Sequence, residues 1–538
     1  MEKWLAHYEK NLPQNLIYPS ATLVDLLNIS SAKYPGCPSM VYLDHSWSYQ
    51  ELNALVSRMA NALIALGVHP GDRVGIHLPN CPQFVIGYYG ALRAGAIAVS
   101  INPLFSGDDL SFIIEDSGLR VVITSTDLYP ALEKLDVKGL KILVTDIHEV
   151  FSPTSNKNTP VGGDESVFNL EDYVFGQPET DPGITITPEQ IANLQYTGGT
   201  TGRSKGAVLT HGNLVANAVQ FRIWLQNVFE DGDGRFIAVI PLFHIYGLTT
   251  CMNTPILTGS TILLLSKFEI NELMKVIDKY KPNIFNGVPA MYGALVMRKS
   301  DYDMSSIKAC VSGSAPLPPT IQEKFEELTG GKLVEGYGLS EASPIVTINP
   351  IYGKVKVGSI GLPVFDTYVK VVNPQTGEDI THTGEIGELV VKGPQVMQGY
   401  WRQPEETELV LKDGWLHTGD LVRMDEEGYI FVADRLKDMI IMGGEKIYPR
   451  EIEDLLYTHP AVREVAVVGV PHPLRGEIPQ AYVALKESAA ASEKELRQFC
   501  FHHLSKFKVP KIKLVDTLPR NSVGKVLRRL LREESEAQ

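Results

Sequence analysis

Between residues 73 and 101 the chain sets down RVGIH, then a stretch with helical spacing over 83–93, then AIAVSI over 96–101. A short apolar run, a helix and a second short apolar run leave few options. Two strands joined by a helix that crosses their face run parallel. The rhythm returns at 236–241, 261–265 and 309–312, which predicts layered α/β architecture around largely parallel sheets. With 538 residues the chain exceeds what one core can serve, so more than one domain is expected. Residues 151–168, rich in Ser, Asn, Pro and Gly, predict a surface loop.

The texture changes after about residue 361. VKVVNPQTGED (369–379) reads as a strand, a turn at 374–377 and a return, and GELVVKGP (387–394) as a further β run. Beyond the polar DRLKD at 434–438 the pattern becomes that of a small α+β unit. It comprises a helix over 449–459, strands in EVAVVGV and QAYVALK, a helix over 493–506 and a strand at 511–515. The expected division is a large multi-layer N-terminal domain with a β-rich end over 1–433, a connector at 434–438, and a small mobile domain over 439–538.

The formal net charge of −14 gives no general electrostatic support for binding DNA or RNA. The charge is uneven: Lys506, Lys508, Lys511, Lys513, Arg520, Lys525, Arg528, Arg529 and Arg532 are interrupted only by Asp516 among the carboxylates. Such a run suits a polyanionic ligand, although a solvated helix face reads the same way on charge alone. The five cysteines, Cys37, Cys81, Cys251, Cys310 and Cys500, are far apart and suggest neither disulfides nor zinc. They fit a cytoplasmic protein. No stretch reads as a signal peptide or a transmembrane segment, because the apolar run at 84–104 is broken by Arg93, Asn102 and Pro103. Peripheral membrane contact stays open, and the oligomeric state is not legible.

The strongest local signal is YTGGTTGRSKG (196–206), which lies between two strand patterns. Gly198, Gly199 and Gly202 let the backbone turn its N–H groups inward around phosphate oxygens. Thr197, Thr200, Thr201 and Ser204 add hydroxyls, and Arg203 and Lys205 add charge. It is not a Walker loop: Arg203 stands where that motif needs a second glycine, and no helix opens directly after it. A plain flexible hairpin would not need four hydroxyls and two cations, so phosphate binding is the expected role.

At this loop the sequence resembles the adenylate-forming superfamily of acyl-CoA synthetases, luciferases and peptide-synthetase adenylation domains. The resemblance spans nearly the whole chain through motifs in the family's order. After the glycine loop come PLFHIYG (241–247), SGSAPL (312–317), EGYGLSE (335–341), DGWLHTGD (413–420), DRLKDMIIMGGEKIYP (434–449) and PRNSVGK (519–525). The resemblance implies ATP, Mg²⁺ and CoA as the small molecules used, with a carboxylic acid as the fourth. It implies that Glu341 and Thr200 hold the metal, which needs hard oxygen ligands. Ser314, Ala315, Pro316, Glu335, Gly336, Tyr337, Gly338 and Ser340 would frame the adenine. Asp420 would take the ribose diol with its two oxygens, and Arg435 would contact the nucleotide. Lys525 would bridge carboxylate and α-phosphate as negative charge builds between them.

Two half-reactions need two arrangements, and the family achieves them by rotating its C-terminal domain. Lys437 matches the hinge position. Gly443, Gly444 and Lys446 match the loop that then meets the pantetheine arm, where glycine permits a close backbone pass. His244 falls at the mouth of the acyl pocket, as a gate and positioner and not a proton shuttle. No acid stands near it to hold a substrate ammonium. Ile245, Tyr246, Val288, Met291, Gly313 and Gly338 would line the pocket. Small-acid members carry Trp where Gly338 stands, so an open floor is expected. Each buried methylene contributes about 0.8 kcal/mol, which favours a medium or long fatty acid. An aryl acid such as a cinnamate, or an acceptor other than CoA, are the alternatives, and a non-catalytic scaffold is disfavoured by Lys525, Glu341 and Asp420.

Overall fold

The computed structural model describes residues 3–135, 137–153, 165–197, 204–298, 302–443, 445–487, 489–520 and 526–536. By backbone contacts the chain forms two compact units. The larger takes residues up to 368 together with 392–416, and the smaller takes 369–391 together with 417 onward.

The larger unit is built on an eight-stranded sheet. Its parallel part runs Ile191–Thr197, Ile97–Ser100, Arg73–His77, Leu119–Ser125, Lys141–Thr145 and Val167–Asn169 in spatial order. The helix Pro82–Arg93 crosses between Arg73–His77 and Ile97–Ser100, as the apolar rhythm predicts. Alternate side chains feed two cores. Val74, Ile76, Ala98, Val121 and Ile123 pack with Met59, Leu63 and Phe84 on one face. Ile97, Val99 and Val122 pack with Leu110, Ile113 and Ile114 on the other. Burial on both faces is why these strands read as continuous apolar runs and not as alternating ones. The expected loop over 151–168 gives way at its end to the edge strand Val167–Asn169; residues 154–164 lie outside the described residues.

A second sheet of this unit contains Ala309–Ser312 and Lys332–Gly338, which are parallel with Ser312 opposite Glu335. A third orders Arg235–Ala238, Thr261–Leu264, Pro38–Tyr42 and His45–Ser48.

Strands Tyr368–Val372, Gly387–Lys392, Trp415–Met424 and Ile430–Arg435, which belong to the smaller unit except for the end residues Tyr368, Lys392, Trp415 and Leu416, form one sheet. The antiparallel pair Val462–His472 and Gly476–Leu485 centres another, flanked by Ile440–Met442 and Lys511–Leu514. Helices Pro449–Tyr457 and Glu493–His503 cover it, contributing Ile452, Leu456, Leu496 and Cys500 to a core with Val467, Ala481 and Val483. The polar segment 434–438 falls inside this unit.

Candidate active site

Strands Ile191–Thr197 and Lys205–Thr210 pair antiparallel, with Thr197 opposite Lys205 and Tyr196 opposite Gly206. The glycine-rich segment therefore joins two strands, as its flanks predict. Gly198, Gly199, Thr200, Thr201 and Gly202 themselves lie outside the described residues. Both feet of the segment are braced. The Tyr196 hydroxyl donates to Asp116 Oδ2 at 2.6 Å; burial and the nearby Asp116 carboxylate push that phenol's pKa well up. Opposite it, Gly206 accepts from the Trp401 amide at 2.8 Å, and a Cβ at 206 would stand 3.2 Å from the Tyr196 ring. Trp401 returns to the same acid through its indole, 3.1 Å from Asp116 O. Ser204 is half-buried. Beyond the second strand, Thr210 caps helix His211–Trp224 in a reciprocal pair with Asn213.

Lys205 and Glu341 meet through residues with no motif of their own. Lys205 Nζ is ion-paired with Glu406 and lies 5.2 Å from the centre of the Tyr400 ring. Tyr400 in turn donates its hydroxyl to Glu341 Oε1 at 2.8 Å, and Glu341 O accepts from the Met397 amide at 2.8 Å. Tyr400 reaches this place because Gly399–Tyr400 adds to the sheet edge, with Tyr400 opposite Ala207. Burial, then the Glu341 charge, drive the Tyr400 pKa upward. A magnesium ion on a triphosphate needs only one or two protein carboxylates, because phosphates and water complete its shell. Glu341 suits such a site, because it is half-buried and a neutral hydroxyl orients its carboxylate. No cluster of three His, Cys, Asp or Glu among the described residues could hold a metal by itself.

The pairing of Ser312 with Glu335 sets the SGSAPL and EGYGLSE motifs side by side. Gly313 is buried, Ser314 turns out at φ 68°, and Ala315 and Pro316 follow toward solvent. Glu335 is buried, while Gly336, Tyr337 and Ser340 are half-buried. Gly338 has a backbone reason to be glycine: a Cβ there would lie 2.2 Å from Pro344 O. Its smallness is accounted for without an open pocket floor.

The acyl-pocket candidates partly converge. His244 caps the short helix Ile245–Gly247, its Nδ1 accepting from the Tyr246 amide at 3.3 Å. The Tyr246 hydroxyl donates to Val311 O at 2.6 Å and stands 3.3 Å from Gly287 O, one residue before Val288. Burial pushes this phenol's pKa well up, and its ring lies 3.2 Å from where a Gly313 Cβ would be. Tyr246 is thus a brace between strands. Ile245 and Val288 are buried, and Met291 keeps partial exposure.

In the smaller unit, Asp420 lies opposite Arg435 on paired strands, with Arg435 Nε 3.2 Å from Asp420 Oδ1. A residue that sequence reasoning missed sets this edge. Glu388 accepts from the Gly419 amide at 3.0 Å and pairs with His417 Nδ1 at 2.9 Å. Lys437, Gly443 and Lys446 are exposed, and Gly443 turns at φ 62° with its N–H on Arg475 O at 2.8 Å. Beside it is a cavity of about 400 Å³ lined by Met442, Gly443, Arg475, Lys506 and Phe507. Gly444 and Lys525 lie outside the described residues. No helix among the described residues is long and apolar enough to cross a membrane.

Residues 27–401 match the family described as AMP-binding enzyme, and 451–525 match the AMP-binding enzyme C-terminal domain. The chain belongs to the AMP-binding enzyme family. It is 43% identical over 551 residues to a long-chain-fatty-acid–CoA ligase of Bacillus subtilis, covering 99% of this chain and 98% of the relative. Among solved structures it resembles ATP-bound MatB from Rhodopseudomonas palustris, with TM-score 0.85, 30% identity, and coverage of 95% of this chain and 98% of that one. It also resembles the anthranilate CoA ligase AuaEII in complex with anthranoyl-AMP, with TM-score 0.86, 28% identity and 98% of each chain covered. The adenylating fold, with its large α/β part and small terminal part, is therefore shared from end to end.

Proposed function

We propose that this family member is an ATP-dependent acyl-CoA synthetase acting on medium- or long-chain fatty acids. The observation that carries the reading is the cluster at the start of the strand that follows the glycine segment in sequence, where Tyr400 hydrogen-bonds Glu341 and lies beside Lys205, itself paired with Glu406. The full-length likeness to a long-chain-fatty-acid–CoA ligase supports the substrate class.

In the first half-reaction a carboxylate oxygen attacks the α-phosphorus of ATP, and pyrophosphate leaves with the electron pair of the broken P–O bond. Lys205 and the glycine segment hold the leaving phosphates. Magnesium, when bound, neutralises phosphate charge, and Glu341 with Thr200 would hold it. Asp420 and Arg435 take the ribose side, and Lys525 aligns the two anions. In the second, the CoA thiol attacks the acyl carbonyl of the adenylate, AMP leaves, and the thiol proton passes to solvent. A turn about Lys437, between a domain ending at 433 and one beginning at 439, exchanges Lys525 for the loop carrying Gly443, Gly444 and Lys446. The cations and aromatic ring of Arg475, Lys506 and Phe507 suit the CoA nucleotide. His244 gates the acyl pocket. The reaction belongs in the cytoplasm, where thiols stay reduced; none of the five cysteines is in a disulfide.

Pyrophosphate release and AMP formation should be followed with a panel of acids, with and without CoA. CoA-dependent AMP formation is expected to peak between about C8 and C18, where each added methylene finds apolar surface. Turnover of acetate alone refutes the acyl assignment. An aryl acid in the panel tests the second reading, which the likeness to an anthranilate CoA ligase favours. Lys525→Ala should abolish pyrophosphate release and spare thioester formation from a supplied acyl-adenylate.

A further inference from the structure

We infer that Arg528 and Arg532 are positioning residues for adenylation: they fasten the segment that follows Lys525 to Asp438, the residue after the hinge lysine. The inference rests on the roles proposed above for Lys525 and Lys437.

Residues on either side of 521–525 are firmly placed. Arg520 and Val526 form an antiparallel bridge, and the Leu527 amide donates to Pro519 O at 2.8 Å. Arg520 reaches Glu464 at 3.2 Å. Helix Arg528–Glu536 begins directly after this closed base. Its first residue, Arg528, grips both oxygens of Glu453 with one nitrogen, at 2.6 and 2.8 Å, and its other terminal nitrogen lies 3.6 Å from Asp438 Oδ2. One turn on, Arg532 donates to Asp438 Oδ1 at 2.7 Å.

Asp438 is 5% exposed and Glu453 8%. Two buried carboxylates thus face two guanidinium groups on one face of one helix, at the i, i+4 spacing that puts side chains on the same side. Few surface ion pairs contribute much, but a carboxylate this deeply buried needs its partners. The connector is also fixed on its other side. Asp434 Oδ2 accepts from the Arg450 amide at 2.9 Å, and the Leu436 amide donates to Gly419 O at 2.9 Å. Asp438 therefore ends the connector as a fixed point, and the helix after Lys525 is tied to that point. Lys525 must meet carboxylate and α-phosphate together, and displacements of about 1 Å in such an arrangement cost on the order of 100-fold in rate. The clamp keeps the helix that begins three residues after Lys525 in one body with the hinge end.

The full-length variants Asp438→Asn, Arg532→Met and Arg532→Lys test this, with dodecanoate and ATP for the first half-reaction, and supplied dodecanoyl-adenylate with CoA for the second. Asp438→Asn and Arg532→Met should lower kcat for pyrophosphate release by about 10- to 100-fold, leave KM for ATP within about twofold, and leave thioester formation nearly intact. Arg532→Lys should recover part of the loss, because an ammonium keeps the charge and loses the fork. Arg532 is partly exposed, so its variants should fold even where Asp438→Asn does not, and thermal midpoints check this. Equal loss in both half-reactions, or no loss in either, overturns the clamp. If Lys525→Ala shows the half-reaction split and Arg532→Met does not, the clamp alone is wrong. If Lys525→Ala releases pyrophosphate normally, the role given to Lys525 falls and the clamp falls with it.

Discussion

The hydroxyl of Tyr400 donates to Glu341 across 59 positions of sequence, at 2.8 Å. A hydrogen bond to a charged group contributes roughly 1.5–3 kcal/mol, and here the charged group is the proposed metal ligand. Tyr400→Phe should therefore weaken adenylation about tenfold in kcat/KM and shift the magnesium titration of pyrophosphate release to higher concentration. A variant that loses rate with an unchanged magnesium midpoint would separate Tyr400 from the metal.

Glu406 occupies the ammonium of Lys205, where phosphate oxygens are proposed to sit. The pair is partly exposed, and such pairs are worth roughly 0.2–1 kcal/mol. Glu406→Gln should accordingly lower KM for ATP by no more than about fivefold, with the gain shrinking as salt is raised. A rise in KM instead would mean that Glu406 positions Lys205 and does not compete for it.

Gly338 tests two explanations of one glycine. The close approach of Pro344 O makes any side chain an overpacking change, costing about 1–3 kcal/mol. Gly338→Ala should lower the thermal midpoint and depress activity on every acid alike. A normal midpoint with activity moved toward short acids would restore the pocket-floor explanation.

Glu171 is a buried carboxyl whose pKa burial raises to about 7. It hydrogen-bonds Thr145, while its Oε2 has no hydrogen-bond partner. An acid held above its unfolded value of 4.5 binds more protons when folded. Its contribution is complete below pH 4.5 and is lost as pH rises through about 7. Glu171→Gln removes that loss, so its stability relative to the parent should improve by about 3 kcal/mol between pH 4.5 and pH 8. Urea midpoints at the two pH values decide it; an identical difference at both would place the ionisation elsewhere.

Local rhythm made the central strands legible. RVGIH and ACVS became strands Arg73–His77 and Ala309–Ser312 with the expected bounds, because a strand buried on both faces advertises itself as an apolar run. The helix expected over 493–506 ends sooner, at His503, and a short 3-10 turn takes Lys506–Lys508. The glycine segment was recognisable from its own composition. Its supports were not. Asp116, Tyr400 and Glu406 lie 80, 195 and 201 positions from the loop residues nearest to their roles, Tyr196 and Lys205, and helix Pro404–Val410 has no buried residue to give it a periodic stripe. Only the fold brings such pairs together. Glu388 was silent for the same reason, since one acid in a β run is an ordinary solvent-facing residue until Gly419 and His417 are placed against it.

The division of the chain between its two units has a mechanical corollary. The backbone passes from one to the other at 368–369, 391–392 and 416–417, so the strands before Asp434 are moored by three covalent threads. Residues beyond 438 belong to the same unit and reach those crossings through the backbone of 434–438 alone. For them to turn on their own, as the proposed exchange of catalytic faces requires, the twist has to pass through that segment, and the hydrogen bonds from the Leu436 amide to Gly419 O and from the Arg450 amide to Asp434 have to open first.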